Sequence, residues 1–298
     1  MARHSEKMFN FASFLITAMN RIGIVGAGKV GTSLGRYFQI NGLPVSGFYD
    51  RDLESATYAS QLTHTECYAD IYRLVDSSDV VFVTVPDGMI AHVWEQCRRF
   101  AIKGKYFFHC SGVLSSTVFA GCHEAGAYAC SAHPVCAVRS RDDSKAFKGK
   151  FVVTEGDELG LSLCRAMTTQ THNPLRVIQA ADKVKYHAAA TVSSNLFCAL
   201  AQMGEQLMCD CGYDEETAHE LLAPLMLGNM QNIVEKGCVS ALTGPMERGD
   251  TSTIERHLNA LEGNDREIYR LLSLRLADMA SSRHPDRDYD HILNLLKQ

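Results

Sequence analysis

Three glycines in the run Gly26-Ala27-Gly28-Lys29-Val30-Gly31 mark the first chemistry in this 298-residue chain. The run follows the short apolar segment Ile22–Val25 and precedes a stretch, Thr32–Ile40, in which Leu34 and Phe38 fall one helical turn apart. Gly26 permits a tight turn, Gly28 lets main-chain N–H groups approach a pyrophosphate, and Gly31 lets the helix pack closely on the strand. A helix N-terminus opening on such a turn favours an anion. A second strand, Val45–Tyr49, ends in Asp50-Arg51. Asp50 suits hydrogen bonds from an adenosine ribose, whereas Arg51 would attract a 2′-phosphate. The two point to NAD and to NADP respectively, so the residues alone leave that choice open.

Proton-handling groups recur at the ends of further apolar runs. Val85, Pro86 and Asp87 close Asp79–Val85, His109 and Ser111 lie at the end of Lys105–His109, and His133-Pro134 follows Ala127–Ala132. In open α/β sheets ligands bind beyond the carboxyl ends of the strands, so these segments should line one cleft with the glycine loop. His133 there is a candidate proton donor, Ser111 a candidate hydrogen-bond partner for substrate or nicotinamide, and His109 a residue that orients Ser111. Further on, Lys183 and His187 are four residues apart and share one helical face, with the small residues Ala188–Ala190 allowing close approach. Asn195 could bond substrate, and Arg248 with Asp250 reads as a loop ion pair.

The elements that position these groups alternate. Phe151–Thr154 and Leu175–Ile178 read as shorter strands, and Met89–Arg99, Ser116–Glu124 and Asp157–Thr168 as intervening helices. This is the signature of a doubly wound, mostly parallel sheet. After Ala180 the strand pattern stops. Lys183–Asp210 is expected to be one long helix with the stripe Val192, Leu196, Ala199, Met203 and Leu207. A second helix starts at Asp214 and should kink at Pro224 before Gly237 ends it. Ser252–Glu255 reads as a capping box opening a helix to Leu261, and Arg266–Ala280 and Tyr289–Leu296 complete an all-helical region. The domains expected are therefore a dinucleotide-binding unit over 19–178 and a helical unit over 179–298, with 1–18 an N-terminal extension outside the fold.

Composition sets the outer bounds. Apolar residues form 46% and charged residues 21% of the chain, which argues against disorder and against a multi-span membrane protein. A formal net charge of -5 without a basic block argues against nucleic-acid binding. The apolar stretch Met8–Met19 is too short for a bilayer span. Eleven cysteines without repeating spacing read as reduced thiols of a cytoplasmic protein, and Cys209-x-Cys211 lacks the second ligand pair that a metal site needs.

In order along the chain stand Gly26–Gly31, His109–Gly112, Ser131–Pro134, Lys183 with Tyr186–Ala190, Ser194-Asn195, Leu242–Pro245 and Arg248–Asp250. Together these resemble the Rossmann-like oxidoreductases that carry a C-terminal domain of unknown function, DUF2520. Broader similarity extends to pyrroline-5-carboxylate reductase, β-hydroxyacid dehydrogenases and coenzyme F420-dependent NADP oxidoreductases. His133-Pro134 is similar to a His-Pro motif of prephenate dehydrogenases, although the glycine that follows it there is replaced by Val135-Cys136.

The resemblance implies an NAD(P)-dependent oxidoreductase acting on a small carbonyl or imine compound. Lys183 or His133 would be the general acid, and Ser111, His187 and Asn195 would position substrate. Gly26, Ala27, Gly28, Lys29, Val30, Gly31, Asp50, Arg51, Val85, Pro86, Asp87 and Ser111 would hold the cofactor, with no metal. It also implies a homodimer through the helical domain. A dinucleotide-binding sensor without turnover, or deazaflavin chemistry, is the competing expectation.

Overall fold

The computed structural model describes residues 21–297; the extension expected over 1–18 lies outside the described residues. Strand β1 (Ile22–Val25) is buried throughout, and α1 (Lys29–Ile40) follows the turn Gly26–Gly28. The chain then runs through β2 (Val45–Tyr49), α2 (Leu53–Thr63), β3 (Glu66–Cys67), α3 (Ile71–Asp76), β4 (Val80–Val83) and α4 (Asp87–Cys97). After these come β5 (Tyr106–His109), β6 (Tyr128–Pro134), β7 (Val152–Gly156), α5 (Glu158–Gln170) and β8 (Leu175–Val177).

The eight strands form one sheet in the order β3-β2-β1-β4-β5-β6-β7-β8. Neighbours from β3 to β6 pair in parallel; β7 runs antiparallel to β6, and β8 is parallel to β7. Strand order reverses between β1 and β4, which puts a crevice beyond the carboxyl ends of those strands.

Side-chain alternation explains why both faces are covered. Ile22, Ile24, Phe82 and Phe108 point to one face, where they meet Leu34 and Phe38 of α1 and Leu163 and Met167 of α5. Val25, Val81, Val83 and Phe107 point to the other, against Ile90, Val93 and Trp94 of α4. With helices on both sides, the parallel strands are apolar runs rather than alternating ones. Gly31 sits where α1 touches the sheet: a Cβ there would lie 1.9 Å from the Gly26 carbonyl oxygen and 2.4 Å from Thr84 Oγ1.

The remaining helices are α6 (Lys183–Val192), α7 (Asn195–Asp210), α8 (Glu215–Lys236), α9 (Cys238–Ala241), α10 (Pro245–Arg248), α11 (Thr251–Ala260), α12 (Gly263–Arg283) and α13 (Asp290–Leu296). The chain divides into two compact units, the first ending at Thr191 and the second beginning at Val192. The division falls later than the 178/179 boundary expected from the sequence, because α6 packs with the sheet. In the second unit Met246, Ile254, Leu258, Ala277, Ala280, Tyr289, Ile292 and Leu296 form a core of their own. No helix among the described residues is long and apolar enough to cross a membrane.

Several local expectations are corrected. The expected helix Ser116–Glu124 reduces to one 3-10 turn, Ser116–Val118, whose first residue is held by a carboxylate from β7. The long helix expected over Lys183–Asp210 is broken between Val192 and Asn195, at Ser193-Ser194. Helix α8 contains Pro224, which removes one amide donor from its ladder, and is capped by Gly237, where its end is expected. Asp250, not Ser252, caps α11, accepting from Thr253 N at 3.1 Å and from Thr253 Oγ1 at 2.7 Å. Its carboxylate therefore serves the cap in place of the loop ion pair expected with Arg248. Helix α2, strand β3 and helix α3 are elements that the sequence pattern does not announce.

Glycine packing yields a paired prediction. Gly31→Ala should cost roughly 1–3 kcal/mol, because main-chain atoms must move apart. Gly28 has φ near -75°, and a methyl group added there would meet nothing within 4 Å. Gly28→Ala should thus change stability by less than about 0.5 kcal/mol. Urea unfolding of both variants against wild type checks this, and equal losses would contradict it.

Candidate functional site

The glycine turn is held open from within. The Asp50 carboxylate at the end of β2 accepts from Ala27 N at 2.7 Å through Oδ2 and from Asp52 N at 3.0 Å through Oδ1. Thr84, just past β4, donates its hydroxyl to the Gly26 carbonyl at 2.8 Å. These bonds tie the ends of β1, β2 and β4 together. Beside them lies a cleft of about 410 Å³ lined by Gly26, Gly28, Asp50, Arg51, Val85 and Pro86, with Met89, His92 and Gln96 of α4 on the far side. Lys29 and Val30 form the first turn of α1, which has no acidic residue and no side-chain cap. Its amide donors are those an anion would use. Asp87 opens α4. Sequence reasoning placed Gly26, Gly28, Asp50, Arg51, Val85 and Pro86 together, and the structure brings them together.

A second group of side chains gathers at the ends of β5 and β6. Lys183, at the start of α6, is only 1% exposed. Its Nζ donates to the Ser111 carbonyl at 2.7 Å and to Ser131 Oγ at 2.6 Å. Burial holds its pKa below the ordinary lysine value, and the nearby Glu155 carboxylate opposes that shift. Glu155 itself accepts from Ser116 N at 2.7 Å and from Ser116 Oγ at 2.9 Å.

Ser111 Oγ accepts from Val113 N at 3.2 Å and Leu114 N at 3.0 Å, the bonding of a turn serine, which leaves its own hydrogen to be donated elsewhere. His109 is fully buried, with Nδ1 accepting from Ser111 N at 3.2 Å and its ring edge-on to Phe119.

His133 is half-buried, and its Nδ1 lies 2.6 Å from the Tyr186 hydroxyl. The His187 ring stands 6.1 Å from the His133 ring, centre to centre. Gly112 fits beneath both: a Cβ there would fall 2.3 Å from His187 Cδ2 and 3.0 Å from His133 Nε2. Only glycine leaves room for the two imidazoles to come together over the β5 end. The structure thus assembles Ser111, His133, Lys183 and His187. Asn195 belongs to the second unit, where its Oδ1 accepts from Ser194 Oγ at 3.1 Å. Sequence reasoning misses Tyr186 as a site residue. A signal for it exists, because it lies one turn after Lys183 and directly precedes His187.

Burial, followed by the Lys183 charge, pushes the pKa of both His109 and His133 down from 6.5 to about 4. Both are therefore neutral at pH 7 in the folded chain. Between about pH 6.5 and pH 4 the unfolded chain binds these protons more readily, so stability must fall as pH falls through that window. The buried His109 alone should contribute on the order of 3 kcal/mol of that loss. Urea unfolding at pH 7 and pH 4.5 (roughly the bottom of the window) should show it, and His109→Phe should lose less stability over the interval than wild type. An equal loss in the variant would remove His109 as a source.

Comparison with known proteins adds family and fold. A Rossmann-like domain matches residues 10–134, and the domain of unknown function DUF2520 matches residues 150–276. No curated protein sequence matches the chain. Among solved structures, a Thermotoga maritima protein is similar with a TM-score of 0.72 and 25% identity, over 88% of this chain and 99% of that one. A Bacteroides fragilis protein named provisionally as an NADP oxidoreductase gives a TM-score of 0.70 at 19% identity, over 87% and 98% of the two chains. An imine reductase from Myxococcus stipitatus, solved with NADP+, gives 0.60 at 15% identity, over 93% and 100%. The chain is thus built of a Rossmann-like domain followed by a domain of the DUF2520 family.

Proposed function

We propose that the chain is an NADP(H)-dependent oxidoreductase that moves a hydride between the nicotinamide and a small carbonyl or imine compound. The observation that carries this reading is one edge of one sheet. The open glycine turn after β1 and the polar group after β5 and β6 both lie at carboxyl ends of parallel strands, where such folds bind ligands. The residues present fit a dinucleotide. Gly28 leaves free space where a methyl would stand, α1 offers uncapped amides, and the cleft beside Asp50 and Arg51 has the size of a nucleoside pocket. The solved imine reductase with NADP+ shares the fold.

When bound, the nicotinamide supplies or accepts the hydride. The chain's own residues do the rest. The amides after Gly28 would hold the dinucleotide's pyrophosphate. The Asp50 carboxylate is drawn to the glycine loop by Ala27 N and also accepts from Asp52 N, which lessens its repulsion of a 2′-phosphate, and the exposed Arg51 beside it attracts one. His133 protonates the developing oxygen or nitrogen: unlike the buried Lys183 it is half-exposed, and its Nδ1 is engaged by the Tyr186 hydroxyl, which leaves Nε2 to face the acceptor. Lys183 is buried beneath and holds the β5 and β6 ends in register. Ser111 and His187 orient the acceptor.

Thermal shift with NAD, NADH, NADP and NADPH tests the cofactor. A ligand at 100 times its Kd should add about 2.7 kcal/mol of stability. NADPH should do so for wild type, and Arg51→Ala should weaken NADPH about tenfold or more while sparing NADH. No shift with any of the four would sink the reading. In a screen of small carbonyl and imine compounds, His133→Ala should lower turnover by about 10² or more.

We also propose a homodimer through the helical unit. No residue of α7 is buried, and Leu196, Phe197 and Leu200 on it and Leu221 and Leu225 on α8 are exposed. Two helices joined in a hairpin with apolar residues facing water need a partner, and a second copy supplies the same surface. Light scattering should give twice the 32.9 kDa chain mass. Leu221→Glu with Leu225→Glu should give a folded monomer; a monomeric wild type would refute the dimer.

A further inference from the structure

The pairing of His133 with Tyr186 bears on how a proton could be delivered, and it rests on the role proposed above for His133. Their contact is short, 2.6 Å between Nδ1 and the phenol oxygen, with the rings edge to face at 79°. The other ring nitrogen, Nε2, borders Gly112, which offers no side chain to bond it. Lys183, His187 and His109 are the remaining titratable groups that act on or pack beside this imidazole. None of them carries a negative charge that would favour an imidazolium.

We propose that Tyr186 is a positioning residue whose hydroxyl donates to His133 Nδ1, fixing the imidazole as its Nε2–H tautomer and backing it as a proton donor. A neutral imidazole that lost its Nε2 proton without gaining one at Nδ1 would become an anion. Tyr186 removes that barrier. As the Nε2–H bond breaks and the proton joins the substrate oxygen or nitrogen, Nδ1 takes the phenolic proton; the pair is reset when the half-buried imidazole takes a proton from water at Nε2 and returns the Nδ1 proton to the Tyr186 phenolate. The imidazole stays neutral throughout, and the hydride is that of the proposed reaction. Burial pushes the phenol pKa up to about 12, so the hydroxyl keeps its proton for Nδ1 between turnovers.

Nitrogen NMR of the full chain labelled with 15N-histidine tests this without any cofactor. His133, assigned by its loss in His133→Gln, should show a bare Nδ1 and a protonated Nε2 at pH 7. In Tyr186→Phe it should become a mixture of tautomers. A protonated Nδ1 in wild type, or an unchanged tautomer in Tyr186→Phe, would overturn the proposal. Should Tyr186→Phe fail to fold, 3-fluorotyrosine at position 186 replaces it: the more acidic phenol should move the Nδ1 signal, and no movement would count against the bond. With the most active compound of the carbonyl screen, Tyr186→Phe should lower kcat about tenfold or more at unchanged KM. If the tautomer holds while His133→Ala keeps full turnover, the proposed acid fails but the Tyr186 bond stands.

Discussion

The Lys183 ammonium lies buried between the carbonyl of Ser111 and the hydroxyl of Ser131, and the site is organised around it. Taking an ammonium out of water costs several kcal/mol unless its hydrogen bonds are replaced and a counter-charge is near. Two charge-assisted bonds and the Glu155 carboxylate offset that cost. Glu155 is in turn fixed by the 3-10 turn at Ser116, so one chain of contacts links β5, β6, β7 and the start of α6. Once Lys183 is pinned, helix geometry sets where Tyr186 and His187 must stand, three and four residues on. Removing the ammonium would leave the Ser111 carbonyl only the long 3.5 Å bond from Ser131 Oγ and free the first turn of α6.

That arrangement also accounts for the two neutral histidines. A buried positive charge close by makes protonation of His109 and His133 doubly unfavourable, adding to desolvation. At pH 7 His109 and His133 are therefore neutral and add no charge beside Lys183. Neutral imidazoles can act as both donor and acceptor, which charged ones cannot.

The sequence made the sheet half legible because its signals are stereochemical. Gly31 must be glycine where α1 meets Gly26 and Thr84, and the β-branched and aromatic runs from β1 to β6 have no other plausible place. The hidden parts follow weaker rules. Helix α2 is rich in Ala, Ser and Thr and buries only small residues, so it carries little periodic signal. Strand β3 is two residues long. The break at Ser193-Ser194 has no proline or glycine to announce it. At the site, Ser111, His133, Lys183 and His187 could be read from strand ends and helical spacing. Tyr186 carried only its spacing from Lys183, and a tyrosine on a helix looks like packing until the partner across the fold, His133, is seen.

The Asp50 carboxylate holds the Ala27 amide, and Thr84 holds the Gly26 carbonyl, before any ligand arrives. The turn after β1 is therefore not a floppy glycine loop waiting to be moulded. Its ordering entropy is met during folding, as part of the same cooperative sheet. An incoming anion meets a fixed rim of amides in which that of Ala27 is already engaged. Discrimination among ligands at this edge then comes from shape and charge fit, and association need not wait for a loop to close.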